Sequence, residues 1–285
     1  MSRLRELFRV GSLEVAALSD GAPDRALGSF FGEAAEADWV RALGVADAAA
    51  SVPFNFGTFL VRGGGRTVLV DVGFGVAGRA LNVPGGGELL LRLAEVGVRP
   101  SDVDAVMITH LHVDHSGWLL DDDHGGALTF PNATVHVARA ELEYWTTAAS
   151  DANQAAANAR ARIAPVQQAG QVSTFDGEQA LTPFLTAVPT PGHTPGHTSY
   201  LLASEGEQLL IVGDAAHHPV HLEHHDWIPT VDLDQAASRR SRLRIATLAA
   251  ERDVLVTGGH FAIPTFGYVR RVESGFRWES AAPRA

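Results

Sequence analysis

Four potential metal ligands lie within six consecutive positions of the chain: His110, His112, Asp114 and His115. They follow an apolar run at residues 103–108, which is typical of a buried strand. Neutral imidazoles and a carboxylate at this density suit one or two divalent cations of borderline softness. The spacing therefore predicts a metal centre at the end of a strand.

Three further segments each supply a ligand of the same kinds. His193, Asp214 and His260 each follow a glycine, most of them shortly after a run typical of a strand. Loops at the rim of a sheet are where such side chains converge. One cation cannot hold all these donors, whereas two cations about 3.5–4 Å apart can, with a carboxylate as the natural bridge. A dinuclear centre is the hypothesis that the residues favour.

The composition excludes several classes of function and of metal site. The chain has 285 residues, of which 46% are hydrophobic and 19% charged, as in an ordinary globular protein with a sizeable core. The formal net charge of -11 lacks the basic footprint of a nucleic-acid-binding protein. There is no cysteine, so disulfides, thiolate metal sites and cysteine nucleophiles are excluded. Any metal must be held by nitrogen and oxygen.

Nothing in the sequence indicates a membrane partner. Residues 1–20 lack the apolar core of a secretory signal, and no apolar run is long enough to span a bilayer. A cytoplasmic enzyme is expected.

The elements that must position the ligands alternate between strands and helices. Strands are predicted at residues 13–18, 58–61, 66–72, 103–108, 134–137, 172–175, 185–188, 198–202, 208–212 and 254–257. Helices are predicted at residues 35–43, 88–96, 140–162 with a break near 150–151, and 235–252. This order predicts one domain over residues 1–285, with two sheets inside and helices outside. Residues 279–285 are expected to form a frayed tail.

The ligand-bearing segments resemble the metal motifs of the metallo-β-lactamase superfamily in order and spacing. Residues 110–115 are similar to its HxHxDH motif, and residues 191–198, 211–214 and 258–260 to its second, third and fourth motifs. The similarity covers about residues 10–275. It implies an α/β fold of the metallo-β-lactamase type, a four-layer αββα sandwich.

The resemblance also implies a role for each ligand. It assigns two ligand sets and a bridge: His110, His112 and His193 for one ion, Asp114, His115 and His260 for the other, and Asp214 between them. Asp71, in the family's early Asp-x-Gly turn, is expected to orient a ligand histidine. The ions are expected to be zinc, with a bridging hydroxide as nucleophile and one ion polarising the substrate oxygen. Asp114 is also expected to manage a proton.

Within the superfamily the chain is most similar to quorum-signal lactonases and methyl-parathion-type organophosphate hydrolases, notably at residues 15–21 and 55–60. This implies opening of a lactone or ester, with N-acyl homoserine lactones as model substrates. The alternative is hydrolysis of a phosphotriester or aryl ester. An iron-dependent oxidoreductase is less favoured because Asp114, His115 and His260 provide for a second ion. A non-catalytic binding module is disfavoured because every ligand position is intact.

One position departs from the lactonase pattern. Acyl-homoserine lactonases usually carry a tyrosine three residues after the bridging aspartate, where this chain has His217, as in the organophosphate-hydrolase branch. A histidine there can donate a hydrogen bond to substrate and move a proton, so His217 is a candidate catalytic residue. The alternative is that it belongs to a polar rim loop at residues 217–225.

The substrate pocket is expected to be partly apolar. Its candidate wall residues are Phe54, Phe56, Trp118 and Phe261, although an aromatic residue is more often part of a core. Residues 21–51 are expected either to form a lid or to pack across a homodimer interface, as the resembling group implies.

Overall fold

Two sheets of seven strands each carry the framework. The protein is described from a computed structural model, which covers residues 5–31, 34–147, 154–263 and 265–282. The strands of these ranges are β1 (Arg5–Val10), β2 (Leu13–Ser19), β3 (Asp24–Ala26), β4 (Ser51–Pro53), β5 (Gly57–Gly63), β6 (Arg66–Val70), β7 (Ala105–Met107), β8 (Leu120–Asp121), β9 (Ala127–Leu128), β10 (Thr134–Ala138), β11 (Val172–Phe175), β12 (Gln179–Thr182), β13 (Leu185–Pro189), β14 (Thr198–Ser204), β15 (Glu207–Ile211), β16 (Leu255–Thr257), β17 (Phe266–Val272) and β18 (Gly275–Ala281).

The α-helices of the same ranges are α1 (Glu36–Leu43), α2 (Ala77–Ala80), α3 (Leu89–Glu95), α4 (Val113–Ser116), α5 (Arg139–Thr146), α6 (Gln154–Gln168) and α7 (Gln235–Arg252). The helix predicted at residues 140–162 corresponds to α5 and α6, and its expected break at 150–151 lies outside the described residues. None of the helices in the described part of the chain is both long enough and apolar enough to cross a membrane.

The first sheet has the strand order β1-β2-β5-β6-β7-β10-β11. Its early strands pair antiparallel, while β6, β7, β10 and β11 are parallel neighbours. The second sheet has the order β12-β13-β14-β15-β16-β17-β18, with a parallel pair at β15 and β16. The parallel strands matter for function, because their carboxyl ends meet at one edge.

Alternating side chains bury both faces of each sheet. In β6, Val68 and Val70 enter the core between the sheets, whereas Leu69 enters the core under α3, α5 and α6. In β15, Leu209 lies between the sheets and Leu210 packs with α7 on the opposite face. The layers are therefore helix, sheet, sheet, helix. The expected αββα sandwich is confirmed.

The structure adds strands that the sequence pattern did not indicate. β1 forms one edge of the first sheet, and its charged side chains Arg5 and Arg9 hide the strand periodicity. β17 and β18 complete the second sheet as a hairpin. Residues 279–281, expected in a frayed tail, instead pair with β17, which corrects that prediction. Residues 283–285 lie outside the described ranges.

The segment at residues 21–51 forms a small layer of its own. It holds β3, a 3-10 turn at Leu27–Phe30 and α1. Phe31 and Trp39 pack with Val220 and Trp227 in a separate apolar cluster. The segment thus covers the loop that follows Asp214.

Candidate metal centre

All the predicted ligands lie at one edge of the two sheets. Residues 109–115 follow β7 in the first sheet. In the second sheet His193 follows β13, Asp214 follows β15 and His260 follows β16. The two halves of the chain therefore contribute ligands to the same edge.

Glycine is required where the His193 loop packs against α7. Gly192 has φ +142°, and a Cβ there would lie 2.2 Å from the backbone nitrogen of Ser238. Any other residue would push the loop away from the first turn of the helix and displace the neighbouring imidazole.

Three imidazoles of the first ligand set converge on one point. The Nδ1 atom of His112 lies 3.0 Å from Nε2 of His110 and 3.0 Å from Nε2 of His193. All three rings are buried or half-buried. Their ligand atoms and one from Asp214 lie within 4.8 Å of one another.

The second ligand set forms an adjacent group. Nε2 of His115 lies 3.2 Å from Nε2 of His260. Oδ2 of Asp114 lies 3.9 Å from Nε2 of His115 and 3.6 Å from Nε2 of His260. One nitrogen or oxygen atom from each of these three residues lies within 4.8 Å of the other two.

Asp214 lies between the two groups. Its Oδ2 is 3.3 Å from Nε2 of His193 and 3.7 Å from Nε2 of His110. Its Oδ1 is 3.2 Å from Nε2 of His115 and 3.1 Å from Nε2 of His260. Oδ2 also lies 3.1 Å from Nε2 of His260. The carboxylate therefore lies between the two ligand sets and contacts both, as a bridging carboxylate must.

Outer hydrogen bonds fix the orientation of the histidine rings. Asp71 accepts from the backbone nitrogen and the hydroxyl of Thr109, each at 2.8 Å, and lies 2.8 Å from Nδ1 of His115. The carbonyl of Asn55 lies 2.7 Å from Nδ1 of His260, and a carbonyl can only accept. The Nδ1 atoms of both rings therefore carry a proton, and both rings turn Nε2 toward the centre.

The first ligand set is oriented in the same way. Oδ1 of Asp232 lies 2.9 Å from Nδ1 of His193. The hydroxyl of Thr109 donates to Asp71, so it accepts from Nδ1 of His110 at 3.1 Å. Nδ1 of each of these rings therefore carries a proton, and Nε2 of each points inward.

These tautomers make the donor set fit divalent cations. Four Nε2 atoms face one another and two carboxylates, and each can present a lone pair to a cation once it carries no proton. Oδ1 of Asp214 is buried and has no hydrogen-bond partner among the described residues, although Nε2 of His115 lies 3.2 Å away. Nitrogen and oxygen donors without thiolates suit zinc or a similar ion.

Protonation around the centre follows from burial and from the neighbouring charges. Burial, aided by other histidines, lowers the pKa of His112 to about 3 and holds the pKa of His110 well below its ordinary value. Burial raises the pKa of Asp214, but the imidazoles, His115 foremost, outweigh it and keep that pKa well below its usual range. Neutral imidazoles and an ionised carboxylate are the forms that bind metal.

His193 and His115 differ from His110 and His112. Burial lowers the pKa of His193, but Asp214 and Asp232 outweigh burial and raise that pKa. Burial also lowers the pKa of His115, but the carboxylates of Asp214, Asp71 and Asp114 outweigh burial and raise the pKa well above the ordinary value. A cation at Nε2 would compete with this proton, so metal binding should weaken in acid.

A cavity of 270 Å³ opens onto the centre. It is lined by Arg25, Phe30, Phe54, His112, Asp114, His193, Asp214, His217, Val231 and His260. The ring of Phe54 stacks on His260 with centroids 3.7 Å apart, so this predicted wall residue does line the cavity. Arg25 and Phe30 come from the segment at residues 21–51, which forms part of the wall.

The other predicted wall residues lie in cores. Trp118 is 1% exposed, packs in the core under the first sheet and donates to Asp20. Phe261 turns away from the centre into the core beneath α7. Phe56 is buried behind the cavity, with its ring edge toward His260 at 6.3 Å. Trp118 and Phe261 follow ligands in sequence, but the chain turns between ligand and aromatic ring, so the prediction that they line the pocket is wrong.

His217 lies inside the site. Its Nε2 is 3.2 Å from Oδ2 of Asp214, and its ring is parallel to that of His260. The alternative of a solvated rim loop is wrong for this residue, which is 5% exposed, and for His221, which is fully buried. Nδ1 of His217 has no hydrogen-bond partner within the described ranges.

Three residues around the ligands carried no sequence signal. Asp232 orients His193, and Arg242 in turn pairs with Asp232 at 3.1 Å. Glu141, which lies in α5, contacts two ligand-bearing loops. These charged residues lie in segments that have the ordinary sequence pattern of a helix or a loop. Their contacts near the ligands are visible only in the folded structure. His197 is buried nearby, with Nδ1 2.8 Å from the hydroxyl of Thr190, and its Nε2 accepts from the backbone nitrogen of Asp214.

Residues 58–260 match the metallo-beta-lactamase superfamily, and the chain belongs to this family. It is 27% identical over 169 residues to an N-acyl homoserine lactonase of Bacillus cereus, covering 59% of this chain and 60% of the relative. It is 30% identical over 175 residues to N-acyl homoserine lactonase AttM of Agrobacterium fabrum, covering 59% and 62%. The matched region thus spans about three fifths of the length of these curated relatives.

Solved structures share the fold over the whole chain. AidC, a dizinc quorum-quenching lactonase, superposes with a TM-score of 0.85 at 23% identity, covering 99% of this chain and 98% of AidC. The hydrolase AbOPH superposes with a TM-score of 0.86 at 24% identity, covering 100% of both chains.

Proposed function

We propose that this protein is a hydrolase that uses two divalent cations, zinc ions in the first place, to open a lactone or ester. An N-acyl homoserine lactone is the leading substrate. The observation that carries the proposal is the position of Asp214, whose carboxylate contacts both groups of inward-pointing ligands.

One ion would be held by His110, His112 and His193. The other would be held by Asp114, His115 and His260, and Asp214 would hold both. Two ions bound there supply a Lewis acid for the substrate oxygen and lower the pKa of a bound water. Asp71, Asp232 and Asn55 hold the imidazoles in the required tautomer through their Nδ1 atoms.

Asp114 is placed to move a proton during the reaction. Its side chain is 20% exposed, compared with 1% for His115 and for His260, and it lines the cavity. A carboxylate in this position can accept a proton from the attacking water and return it to the leaving alkoxide oxygen. The product would then be a hydroxy acid.

His217 is placed to bind the reacting group. Its ring reaches the cavity, and Asp214 holds it from the Nε2 side. Its Nδ1 atom is buried and has no hydrogen-bond partner in the described structure, so a substrate that reaches it would meet an unused polar atom. A donor there would favour the state in which charge develops on the substrate oxygen.

The cavity supports a small and partly apolar substrate. Its 270 Å³ lies just below the usual range of small-molecule sites, about 300–1,000 Å³. Phe30, Phe54 and Val231 offer apolar walls beside the polar centre. The names of the curated relatives, N-acyl homoserine lactonases, support the same substrate class.

A second candidate function is hydrolysis of a phosphotriester or aryl ester. It is favoured by His217, which stands where lactonases of the resembling group usually have tyrosine and which is buried within the site. We further propose that the chain works as one domain, because both halves contribute ligands, and that residues 21–51 act as a lid over the cavity.

The test combines metal analysis with three assays on one preparation. Bound metal is quantified in the protein as purified, and the protein is assayed with a lactone, a phosphotriester and a thioester before and after reconstitution with zinc. Two zinc ions per chain with lactone turnover support the proposal, and phosphotriester turnover alone supports the second candidate. One iron ion with oxygen consumption would refute both.

A further inference from the structure

Glu141 is a fully buried carboxylate that does not belong to either ligand set. It lies in α5, and its side chain accepts four hydrogen bonds. Oε1 accepts from the backbone nitrogen of Leu111 at 2.9 Å and from the indole of Trp145 at 2.6 Å. Oε2 accepts from the hydroxyl of Thr194 at 2.6 Å and from the backbone nitrogen of Gly196 at 3.1 Å.

The donors to this carboxylate come from both ligand-bearing loops. Leu111 lies between His110 and His112 in the sequence, and Thr194 directly follows His193. One side chain thus ties the loop after β7 in the first sheet to the loop after β13 in the second. These two loops carry the three imidazoles of the first ligand set, in which Nδ1 of His112 lies 3.0 Å from Nε2 of His110 and 3.0 Å from Nε2 of His193.

The approach of the second loop to α5 is close enough to demand glycine. A Cβ on Gly196 would lie 2.1 Å from the backbone nitrogen of Glu141 and 2.5 Å from its Cβ. The loop is therefore pressed against the helix at the point where the carboxylate bonds to it.

Only a carboxylate can satisfy these donors. An ionised Glu side chain offers two oxygens with about four lone-pair directions, and here four donors occupy them. Glutamine would present an amide nitrogen to two of the donors, and N–H would face N–H or O–H. A group needed only for packing would not require a buried charge.

We propose that Glu141 is a positioning residue of the metal centre, whose carboxylate clamps the loop of His110 and His112 to the loop of His193. It sets the spacing of the first ligand set without contacting an ion. The inference rests on the metal site of the proposed function, and it is independent of the substrate.

The test is metal affinity in a Glu141→Gln variant. Metal-free protein is titrated with zinc in competition with a chromophoric chelator, and the visible spectrum of the cobalt-substituted protein is recorded. The variant is expected to bind one of the two ions at least about tenfold more weakly than the wild type, with an altered cobalt spectrum. Glu207→Gln is the matched control, since that carboxylate bonds to the nitrogen of Gly11, away from both loops, and should leave affinity unchanged.

A Thr194→Val variant keeps the test decisive if Glu141→Gln does not fold. It removes one of the four hydrogen bonds and is expected to weaken the same ion by a smaller factor. Wild-type affinity and cobalt spectrum in the folded Glu141→Gln protein, with or without a lower unfolding temperature, would overturn the inference. The same result in Thr194→Val would overturn it if Glu141→Gln is unfolded.

The two proposals fail separately. If the wild type binds zinc tightly but turns over none of the three substrates, the proposed function is refuted. The role of Glu141 is then still decided by the zinc affinities of the variants. Absence of zinc binding by the wild type overturns both.

Discussion

Nδ1 of His193 lies 2.9 Å from Oδ1 of Asp232, and the other oxygen of Asp232 accepts from the buried guanidinium of Arg242 at 3.1 Å. These hydrogen bonds run from Arg242 in α7 through Asp232 to the metal centre. It holds the proton of His193 on the outer nitrogen and leaves the inner nitrogen free for a cation.

Replacing Asp232 should therefore weaken metal binding. In Asp232→Asn the amide can present its nitrogen to His193, and the tautomer with an inward lone pair loses its support. We expect about 10- to 100-fold lower zinc affinity in a chelator competition. Asp234→Asn is the control, because Asp234 only caps α7 through the nitrogen of Ala237. Equal affinity of Asp232→Asn and the wild type would contradict the assigned role.

Arg242 should matter to stability rather than to chemistry. It is fully buried, and it also donates to the carbonyls of Ala215 and Trp227, each at 2.7 Å. In Arg242→Met the buried Asp232 would lose its cationic partner, so we expect a loss of about 3–5 kcal/mol in urea unfolding of the metal-free protein.

Arg270, which forms ion pairs with Asp253 and Glu279 at the surface, provides the comparison for Arg242. Its side chain is 37% exposed, and solvent screens its ion pairs, so Arg270→Met should cost no more than about 1 kcal/mol. Equal losses in the two variants would show that Arg242 does not act as a buried counter-charge.

Loss of the bridge should abolish catalysis with little effect on the fold. Asp214→Asn removes the charge shared by both ligand sets, and His112→Ala removes the ring at the centre of the first. We expect hydrolysis to fall to background and bound zinc to drop below two ions per chain, with an unchanged circular-dichroism spectrum. Full activity in either variant would be incompatible with the mechanism.

His217 separates a role in chemistry from a role in packing. His217→Phe keeps an aromatic ring beside Phe54, which lies 6.2 Å away, but removes both nitrogens. We expect kcat on the best substrate to fall more than KM changes. His224→Phe, whose native ring stacks on Trp227, is the control. Unchanged kinetics in His217→Phe would place the residue outside the reaction.

Asp20 gives a prediction for pH. Burial raises its pKa from 3.8 to about 6, although Trp118 and the nitrogens of Gly75 and Leu89 donate to it. The folded state then binds the proton more tightly than the unfolded state, so this contribution to stability is present in acid and is lost as the pH rises from about 4 to about 6. Relative to Asp20→Asn, the wild-type free energy of unfolding should fall by up to about 3 kcal/mol over that range. A constant difference between the two proteins would contradict the raised pKa.

The sequence predicted the fold and the ligand set because both leave local signals. The strand before residue 109 and the spacing of His110, His112 and His115 are visible without a structure. Asp232 and Glu141 leave no such signal, since each meets its partners only through tertiary contacts. Sequence proximity also misled: Trp118 lies three positions after His115, yet its indole donates to Asp20 in the core.

The most direct test of the dinuclear centre is anomalous diffraction at the zinc edge from crystals of the zinc-loaded protein. We predict two peaks per chain, one on each side of the Asp214 carboxylate, the first among His110, His112 and His193 and the second among Asp114, His115 and His260. A single peak, or peaks remote from Asp214, would contradict the account.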